Sequence, residues 1–349
     1  MSFDLRVGWE YNARMLDKPD IQDVLITAAV HDAFGLEVAQ VEFLPLGADF
    51  DTAVYRVVAA DGVPYFLKLR RGNFDEVSVV VPRVLQTQGI AAVMAPIPTT
   101  SERLWTELDA FKLILYPFVE GHSGIGVELS DRQWRELGAA LKAVHSTRLP
   151  PDLARCTPRE TYSPRWRGML RAALARSEDS RHDDPAAARL AALLKAKRGE
   201  IERIVGRAER LAVPLRRHPR PFVLCHTDIH AANVLLGVDD ALFIVDWDNP
   251  LLAPKEHDLM FMDGGSDEGM WRHAREELFY QGYGQTEVDP VALAYYQVER
   301  VVVDIAVTCE MVFSTEADEG RAGDREQGVR YVVNRFTADD VEVAHRMEG

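Results

Sequence analysis

The most informative part of the chain reads Cys225-His226-Thr227-Asp228-Ile229-His230-Ala231-Ala232-Asn233-Val234-Leu235-Leu236 and then Phe243-Ile244-Val245-Asp246-Trp247-Asp248. Apolar runs that predict short strands flank polar residues at fixed offsets. Asp228 and Asn233 lie five positions apart, and Asp246 follows on the next strand of the predicted hairpin. These three polar side chains can therefore converge on one point.

This arrangement meets the needs of phosphoryl transfer. One carboxylate must orient the attacking hydroxyl and accept its proton, while an amide oxygen and a second carboxylate hold magnesium against the phosphates. The spacing H-x-D-x-x-x-x-N, followed by an aspartate on a strand, is also typical of the catalytic loops of kinases. We therefore predict Asp228 as the catalytic aspartate, with Asn233 and Asp246 as magnesium ligands.

The same stretch has a competing interpretation as a zinc site, because cysteine, histidine and aspartate are all residue types that bind zinc. No second cluster of histidine or cysteine follows at a supporting spacing, and the chain has no CxxC pair. We interpret His226 and His230 as structural side chains that bond the backbone of the loop.

The chain before this stretch predicts an antiparallel sheet with two helices. Helical spacing over residues 20–34 ends at Gly35, and a second helix is predicted over residues 75–88. Strands are predicted at residues 41–46, 53–60, 65–69, 104–107 and 111–116. Asp61-Gly62 between two of them is typical of a hairpin turn.

The chain beyond residue 121 is predicted to be mainly helical. Ser130 is a favourable N-cap for a helix that reaches His145. Further helices are predicted at residues 164–176, 185–211 and 295–313, with short strands at 222–225 and 242–245. The residues from Thr315 onward are charged, and we expect a partly mobile tail there.

Composition limits the classes of function. The chain has 349 residues, of which 47% are hydrophobic, and a formal net charge of −15. An acidic protein is poorly suited to nucleic acid or anionic membranes, since both require basic surface. It suits a cationic ligand, although an acidic surface more often serves only solubility. No N-terminal stretch resembles a signal peptide, and no run approaches the roughly 18 apolar residues of a membrane span. We expect a cytoplasmic protein with a small-molecule partner, no nucleic acid or membrane partner, and an oligomeric state that the sequence leaves open.

Several motifs together resemble the aminoglycoside phosphotransferase and choline kinase family. The motif His226-x-Asp228-x-His230-x-x-Asn233 with Val245-Asp246-Trp247-Asp248 carries the family resemblance. The wider chain is similar to spectinomycin phosphotransferases in particular, from about residue 20 to residue 313. The supporting motifs are Gly47-Ala48-Asp49, Phe66-Leu67-Lys68-Leu69, Ala253-Pro254-Lys255-Glu256-x-Asp258-Leu259-Met260-Phe261, Tyr283-Gly284 and Tyr295-Tyr296-x-x-Glu299-Arg300.

The resemblance implies an α+β, protein-kinase-like fold of two lobes. The N-lobe, with the sheet that binds ATP, would comprise residues 1–116, and the hinge residues 117–121. A mainly helical C-lobe with the catalytic loop and the substrate pocket would comprise residues 122–349. A long activation segment is not expected, because Asp246 and Pro254 are too close in sequence to hold one.

The resemblance also implies the residues that bind ATP. Lys68 would reach the α- and β-phosphates, with Glu76 as its helix partner. Asp75 is a poorer second choice. The family's glutamate often lies further along the helix, where this chain has Val84, so this chain departs from the family pattern there. Gly47 would let backbone amides approach phosphate. The hinge would meet adenine through two backbone groups, the carbonyl of Pro117 and the amide of Val119.

Candidate contacts to the substrate lie in two places. Trp247 and Asp248 follow the predicted metal ligand, although Trp247 is equally explained as a core residue. Glu299 and Asp304 lie on a late predicted helix and could bind an amine of the substrate. A solvated helix face explains the acids of that helix as well.

Together these features predict a kinase that uses ATP and Mg²⁺ to phosphorylate a hydroxyl of spectinomycin or a related aminocyclitol, in resistance or self-protection. The alternative is a kinase of another small alcohol, such as choline or a sugar. A third interpretation, a pseudokinase, requires a broken catalytic set, but Lys68, Asp228, Asn233 and Asp246 are all present.

Overall fold

The structure is a computed structural model, and it describes residues 18–46, 51–179, 184–218, 220–262, 275–314 and 322–337. The predicted α+β class is confirmed, because an antiparallel sheet is followed by a part that is mainly helical. Among the helices of these described residues, none is both long and apolar enough to cross a bilayer.

A five-stranded antiparallel sheet occupies the N-terminal part, in the order β1-β2-β3-β5-β4. The strands are β1 (Val38–Leu44), β2 (Thr52–Ala59), β3 (Pro64–Arg71), β4 (Thr106–Leu108) and β5 (Phe111–Pro117). Helix α1 (Asp23–Phe34) precedes the sheet, and α2 (Val77–Thr87) follows β3. All five strands and both helices were predicted from periodicity and turn residues, with shifts of a few residues at their ends.

The sheet has one apolar face, because apolar side chains alternate along its central strands. Tyr55, Leu67 and Leu69 are fully buried there, and α1 covers them with Ile26 and Val30. Since successive side chains on a strand point to opposite faces, Lys68 lies on the other face of β3. The alternation of β3 therefore directs this lysine away from the apolar core.

A three-stranded sheet, in the order β6-β8-β9, contains the hairpin of the predicted catalytic stretch, residues 225–248. Its strands are β6 (Gly121–Ser123), β8 (Val234–Gly237) and β9 (Leu242–Ile244). Strands β7 (Val223–Cys225) and β10 (Leu251–Ala253) lie on either side of this hairpin in sequence. One turn of 3-10 helix, Ala231–Asn233, leads directly into β8.

Helices make up most of the remaining described chain. They are α3 (Asp131–Ser146), α4 (Pro151–Cys156), α5 (Arg165–Ser177), α6 (Pro185–Arg217), α7 (Glu256–Leu259), α8 (Glu276–Tyr283), α9 (Pro290–Phe313) and α10 (Ala322–Thr337), with a 3-10 turn at Met260–Met262. Helix α3 begins as predicted, because Ser130 and Gln133 form a reciprocal capping box.

One predicted boundary in the helical part was wrong. Helix α6 continues past residue 211 to Arg217, although Pro214 lies inside it. The charged segment expected as a partly mobile tail contains α10, which packs on α9, and its partial mobility stays a prediction. Val329 and Val332 are buried, so three-residue apolar spacing gives this polar segment a packing face.

The chain divides into two compact units. The first unit comprises Met1–Pro158, Val223–Leu252 and Glu268–Gln285, and the second comprises Arg159–Phe222, Ala253–Asp267 and Thr286–Gly349. The first unit contains the apolar core beneath the five-stranded sheet. The second has its own core, formed by α5, α6, α9 and α10. The lobe boundary predicted at residues 117–121 stays a prediction.

Candidate active site

Lys68 lies near the centre of the candidate site, on the middle strand of the five-stranded sheet. Its side chain is 12% exposed, so it is not the solvated edge residue that a lysine on a strand often is. The amine donates to Asp246 Oδ1 at 2.8 Å and to both oxygens of Asp248 at 2.9 and 3.0 Å. The five-stranded sheet and the predicted catalytic stretch thus contact each other through these residues, within the first compact unit.

The charges around Lys68 shift the pKa values of the whole group. Burial by itself lowers the pKa of Lys68, but Asp246 and Asp248 outweigh it and raise that pKa above its ordinary value. Burial raises the pKa of the Asp246 carboxyl, but the charge of Lys68 and its hydrogen bond outweigh burial, so that pKa is lowered below its ordinary value. Lys68 and Asp246 are therefore held as an ion pair at neutral pH.

The loop from residue 226 to residue 233 brings Asp228 and Asn233 together. The Asn233 amide nitrogen donates to the backbone carbonyl of Asp228 at 2.8 Å and approaches its Oδ2 at 3.4 Å. The Asp228 side chain is 37% exposed. A carboxylate that is anchored at one side and open to solvent at the other can accept a proton from an incoming hydroxyl.

Two histidines organise the backbone of this loop, as expected. The backbone N–H of Asp228 donates to His226 Nδ1 at 3.2 Å, and His226 Nε2 lies 2.8 Å from the carbonyl of Val245. The N–H of Ala232 donates to His230 Nδ1 at 3.2 Å, which leaves Nε2 of that ring facing Asp228 Oδ2 at 3.4 Å. His226 therefore ties the loop to the strand end that carries Asp246.

The backbone at the site adopts an unusual conformation at two points. Thr227 has φ of 77° and Asp246 has φ of 63°, both in the left-handed region. Non-glycine residues rarely occupy this region, and such conformations concentrate at functional sites. The Thr227 hydroxyl donates to the carbonyl of Asn249 at 3.0 Å, which helps to hold the turn.

The donor chemistry of the site fits Mg²⁺. Asp246 and Asp228 offer carboxylate oxygens, the ligands that hard divalent cations prefer. Asn233 uses its amide nitrogen in the two contacts to Asp228, so its amide oxygen is the group left to bind a cation. Asn233 and Asp246 therefore fit the role predicted for them, and Asp228 lies beside them.

The predicted adenine and phosphate contacts are only partly described. Pro117 ends β5 opposite Tyr65 of β3, and Val119 follows two residues later and is half-buried. Their backbone groups stay a prediction for adenine binding. Gly47, predicted to approach phosphate, lies outside the described residues.

Glu76 is wrong as the partner of Lys68. It is exposed and precedes the first turn of α2, where Asp75 caps the helix by accepting from the N–H of Val77 at 3.0 Å. The bonds of Lys68 run to Asp246 and Asp248 instead. The carboxylates that pair with this lysine therefore come from the stretch after β9, and not from the residues before α2.

Trp247 is wrong as a substrate contact. Its side chain is 3% exposed, and its indole Nε1 donates to the carbonyl of Ile244 at 3.3 Å. The ring packs edge-on against His226, with centroids 4.6 Å apart. Trp247 is thus the core residue that the alternative interpretation described, and it supports the loop from inside.

The other two substrate candidates belong to the second compact unit. Glu299 is 8% exposed, with Oε2 3.6 Å from Nε of the fully buried Arg167. Asp304 pairs with Arg300 at 3.1 Å, one turn earlier on α9. Both carboxylates already have a basic neighbour, and the interpretation of a solvated helix face is wrong for Glu299. Their contact with substrate stays a prediction.

Sequence reasoning missed Arg70. Its guanidinium lies 3.2 Å from Asp248 Oδ1, and its side chain is 14% exposed. The signal was available, because Lys68 and Arg70 are two positions apart on a strand and so share a face. The face that presents Lys68 therefore carries a second cation.

Comparisons with known proteins identify a matching family model and two similar solved structures. A model of the phosphotransferase enzyme family (APH) matches residues 42–296. The crystal structure of spectinomycin phosphotransferase APH(9)-Ia with ADP and spectinomycin is 34% identical, with a TM-score of 0.85, and the match covers 94% of this chain and 98% of that one. The AMP-bound complex of the same enzyme is 32% identical, with a TM-score of 0.80 and coverage of 93% and 98%.

A curated relative extends the similarity at the level of sequence. Protein StrN of Streptomyces griseus is 29% identical over 232 residues, which are 64% of this chain and 69% of that protein. Together with the two solved complexes, this match confirms both the resemblance inferred from the motifs and the kinase-like α+β fold.

Proposed function

The chain belongs to the phosphotransferase enzyme family, whose members phosphorylate alcohol groups, and from that premise we propose that it transfers the γ-phosphate of ATP to a hydroxyl of spectinomycin or a closely related aminocyclitol. The observation that supports the transfer step most is the meeting of Lys68 with Asp246 beside the Asp228–Asn233 loop. These are the residue types on which phosphoryl transfer depends.

Asp228 is assigned to the acceptor hydroxyl. The Asn233 amide nitrogen donates to the backbone carbonyl of Asp228 and approaches Oδ2 of its carboxylate, which is open to solvent on its other side. From there it would orient the hydroxyl toward the γ-phosphate and take its proton as the new P–O bond forms. The bond between the γ-phosphorus and the oxygen that joins it to the β-phosphate breaks in the same transfer, and ADP leaves. The rate gain from such a base depends on how well the carboxylate is positioned. The bonds of His226 and His230 to the backbone hold the loop that carries it.

Lys68 and the metal ligands are assigned to the nucleotide. The lysine amine would lie against phosphate oxygens and neutralise the charge that moves onto the leaving group. Asn233 and Asp246 would hold Mg²⁺, which would supply positive charge against the negative charge of the phosphates. The ion pair of Lys68 with Asp246 keeps both side chains ionised and ready for these roles.

The choice of substrate rests on similarity and charge. The spectinomycin phosphotransferase complex matches nearly all of this chain at 34% identity. A net charge of −15 favours a cationic small molecule over an anionic one. An aminocyclitol with protonated amines has the size and charge that both observations favour.

The test is ATP consumption by the purified protein with Mg²⁺ across spectinomycin, several aminoglycosides, choline and simple sugars, with the phosphorylated product identified by mass spectrometry. We expect turnover with spectinomycin and a phosphate ester on one of its hydroxyls. Turnover with choline or a sugar alone would replace the substrate but keep the mechanism. ADP binding without turnover of any acceptor would contradict the proposal.

A further inference from the structure

Asp248 has more contacts to the basic face of β3 than the predicted metal ligand does. Both of its carboxylate oxygens accept from the Lys68 amine, at 2.9 and 3.0 Å, and Oδ1 also lies 3.2 Å from Arg70. Asp246 reaches Lys68 through one oxygen only. The Asp248 side chain is 23% exposed and those of Lys68 and Arg70 are 12% and 14% exposed, so water screens these pairs only in part.

Asp246, the predicted metal ligand, is also a partner of Lys68. A kinase lysine is normally held by a helix glutamate while a separate aspartate holds the metal. Helix α2 cannot supply that glutamate, because its sequence Val-Ser-Val-Val-Val-Pro-Arg-Val-Leu-Gln-Thr contains no acid. Glu76, just before it, is exposed and makes no bond to Lys68. Helix α2 therefore offers no carboxylate to Lys68, and the carboxylate of Asp248 lies beside the amine instead.

We propose that Asp248 is the positioning residue for Lys68, with Arg70 holding Asp248 in turn, so that the lysine keeps a carboxylate partner when Asp246 engages the nucleotide-bound metal. This inference rests on the proposed function, since it assigns Lys68 to the phosphates of ATP. It moves Asp248 from the substrate to the support of the nucleotide site. The carboxylate of Asp248 lies between the cations of Lys68 and Arg70, which point to the same face of β3 because they are two positions apart.

The inference predicts how the loss of Asp248 affects catalysis. Asp248→Asn keeps the size of the side chain but removes the charge that holds the amine in place. Misplacement of a group that contacts the reacting phosphates by about 1 Å can cost roughly 100-fold. We expect kcat/KM for ATP to fall by about 10- to 100-fold in Asp248→Asn. Asp248→Glu, which restores the charge, should recover part of that loss.

A double-mutant cycle with Lys68→Ala tests whether Asp248 acts through the lysine. The cycle compares the single variants Asp248→Asn and Lys68→Ala with the double variant, in kcat/KM for ATP. If Asp248 only positions Lys68, its substitution should cost less than about threefold once the lysine is gone. Additive losses would overturn the proposal, because they would mean that Asp248 acts on structure, substrate or metal independently of Lys68.

Two further variants sharpen the comparison. Glu107→Gln removes an exposed carboxylate that pairs with Lys112 at 2.7 Å in the same sheet, so it matches the loss of one lysine–carboxylate pair away from the site. Glu76→Gln tests the helix alternative, and a larger loss there than in Asp248→Asn would overturn the proposal. Thermal unfolding of every variant separates a folding defect from a positioning effect.

The same cycle can be measured on ADP binding with Mg²⁺ by calorimetry, which requires no acceptor. Wild type that binds ADP but phosphorylates nothing contradicts the proposed function, and the coupling of Lys68 and Asp248 in ADP affinity then still decides the role of Asp248. Coupling in affinity supports the positioning role, and its absence overturns it.

Discussion

Thr227 and Asp246 carry backbone strain next to the predicted catalytic and metal-binding side chains. Left-handed φ values at non-glycine residues cost of order 1–3 kcal/mol each, and for a β-branched residue such as Thr227 the conformation is rare. The strain is held by local bonds, which include those of His226 to the backbone of Asp228 and Val245. These bonds hold the loop in position, which the proposed orientation of phosphate and hydroxyl requires.

Asp228→Asn should abolish most of the turnover and leave nucleotide binding intact. The amide cannot accept the proton of the acceptor hydroxyl, and a positioned general base typically contributes about 10²- to 10⁴-fold. We expect kcat to fall within that range, while the affinity for ADP stays within about threefold of wild type. Steady-state kinetics and calorimetry measure the two quantities.

Asp109→Asn is the control for that substitution. Asp109 is exposed in the turn between β4 and β5 and has φ of 53°, a conformation that asparagine adopts readily. The substitution Asp109→Asn therefore makes the same chemical change in the same compact unit, at a residue outside the candidate active site. Turnover retained by Asp228→Asn at the level of this control would refute the role of Asp228 as the base.

Helices α3 and α8 pack through glycines that bring their backbones together. A Cβ at Gly138 would lie 2.1 Å from the carbonyl oxygen of Phe279, and one at Gly282 would lie 1.9 Å from that of Arg135. These are backbone atoms, which cannot rotate away as the end of a side chain can. The buried ring of His145 bonds the Tyr283 hydroxyl at 2.7 Å across the same contact. Only glycine at these two positions permits this close contact.

Gly282→Ala should therefore destabilise the protein. Overpacking of a tight contact typically costs 1–3 kcal/mol and occasionally more, and here the clash is with backbone. We expect a loss of about 3 kcal/mol in the free energy of unfolding, measured by urea denaturation. Gly168→Ala in α5 is the control, since nothing lies within 4 Å of its added Cβ. Alanine there should be neutral or stabilising by up to about 1 kcal/mol, because it is the better helix former.

Glu299 of α9 is an acid whose surroundings oppose its ionisation. Burial raises the pKa of Glu299 to about 7, against the opposing attraction of Arg167. The pair is 3.6 Å apart, and neither Arg167 Nε nor Glu299 Oε2 has a hydrogen-bond partner among the described residues. An ion pair without hydrogen bonds offsets little of the cost of taking both charges out of water.

This shift gives stability a dependence on pH with a definite sign. Between its ordinary pKa near 4.5 and about 7, Glu299 binds more protons in the folded state than in the unfolded state. Stability from this group is therefore fully present below pH 4.5 and falls as pH rises to about 7, by about 3 kcal/mol in total. Glutamine does not titrate, so the stability of Glu299→Gln relative to wild type should rise by that amount between pH 4 and pH 8.

Thermal and urea unfolding of wild type and Glu299→Gln at intervals across this range measure the effect. Glu310→Gln, which alters an exposed acid on the same helix, is the control. A difference between wild type and Glu299→Gln that is constant with pH would show that Glu299 ionises in the folded protein as it does in the unfolded chain.

The two compact units differ in what they carry. Lys68, Asp228, Asn233, Asp246 and Asp248 all belong to the first unit. Each unit also contains one buried cysteine, Cys225 in the first and Cys309 in the second, whereas Cys156 is exposed. Burial raises the pKa of the Cys309 thiol to about 12, which makes it unreactive while folded. The buried thiols can report on the opening of each unit.

We expect ADP with Mg²⁺ to protect Cys225 from thiol labelling more than Cys309. A ligand that binds only the folded state at 100 times its Kd adds about 2.7 kcal/mol, or roughly 100-fold in the population of the opened form. Cys225 should be labelled about 100-fold more slowly with ADP, and Cys309 less than tenfold more slowly. Mass spectrometry of timed samples gives the rate at each site.

Cys156 serves as the internal reference in the same samples, because its exposed thiol should react at one rate with or without the nucleotide. Protection of Cys309 that equals or exceeds that of Cys225 would contradict the assignment of the nucleotide to residues of the first unit.

The sequence by itself determined the elements and the types of chemistry. Alternation along 52–59 and 64–71, turn residues between them and the cap at Ser130 act over a few residues, so local patterns predict these strands and helices. The offsets of Asp228 and Asn233 lie within one loop, and their contact follows from that proximity. The composition of α10 hid its packing face, because Val329 and Val332 are the only buried apolar residues among the side chains of α10 that the structure describes.

Only the tertiary structure decided which distant groups meet. Asp246 and Asp248 lie 178 and 180 residues from Lys68, and no local pattern encodes which of several acids reaches the open face of β3. Glu76 was closer in sequence but lies exposed just before the start of α2. The burial of Trp247 was likewise decided by packing, since an aromatic side chain beside a metal ligand can face either the core or the substrate. Sequence periodicity specifies which face of an element is apolar, whereas the partner of each polar side chain depends on how those faces pack.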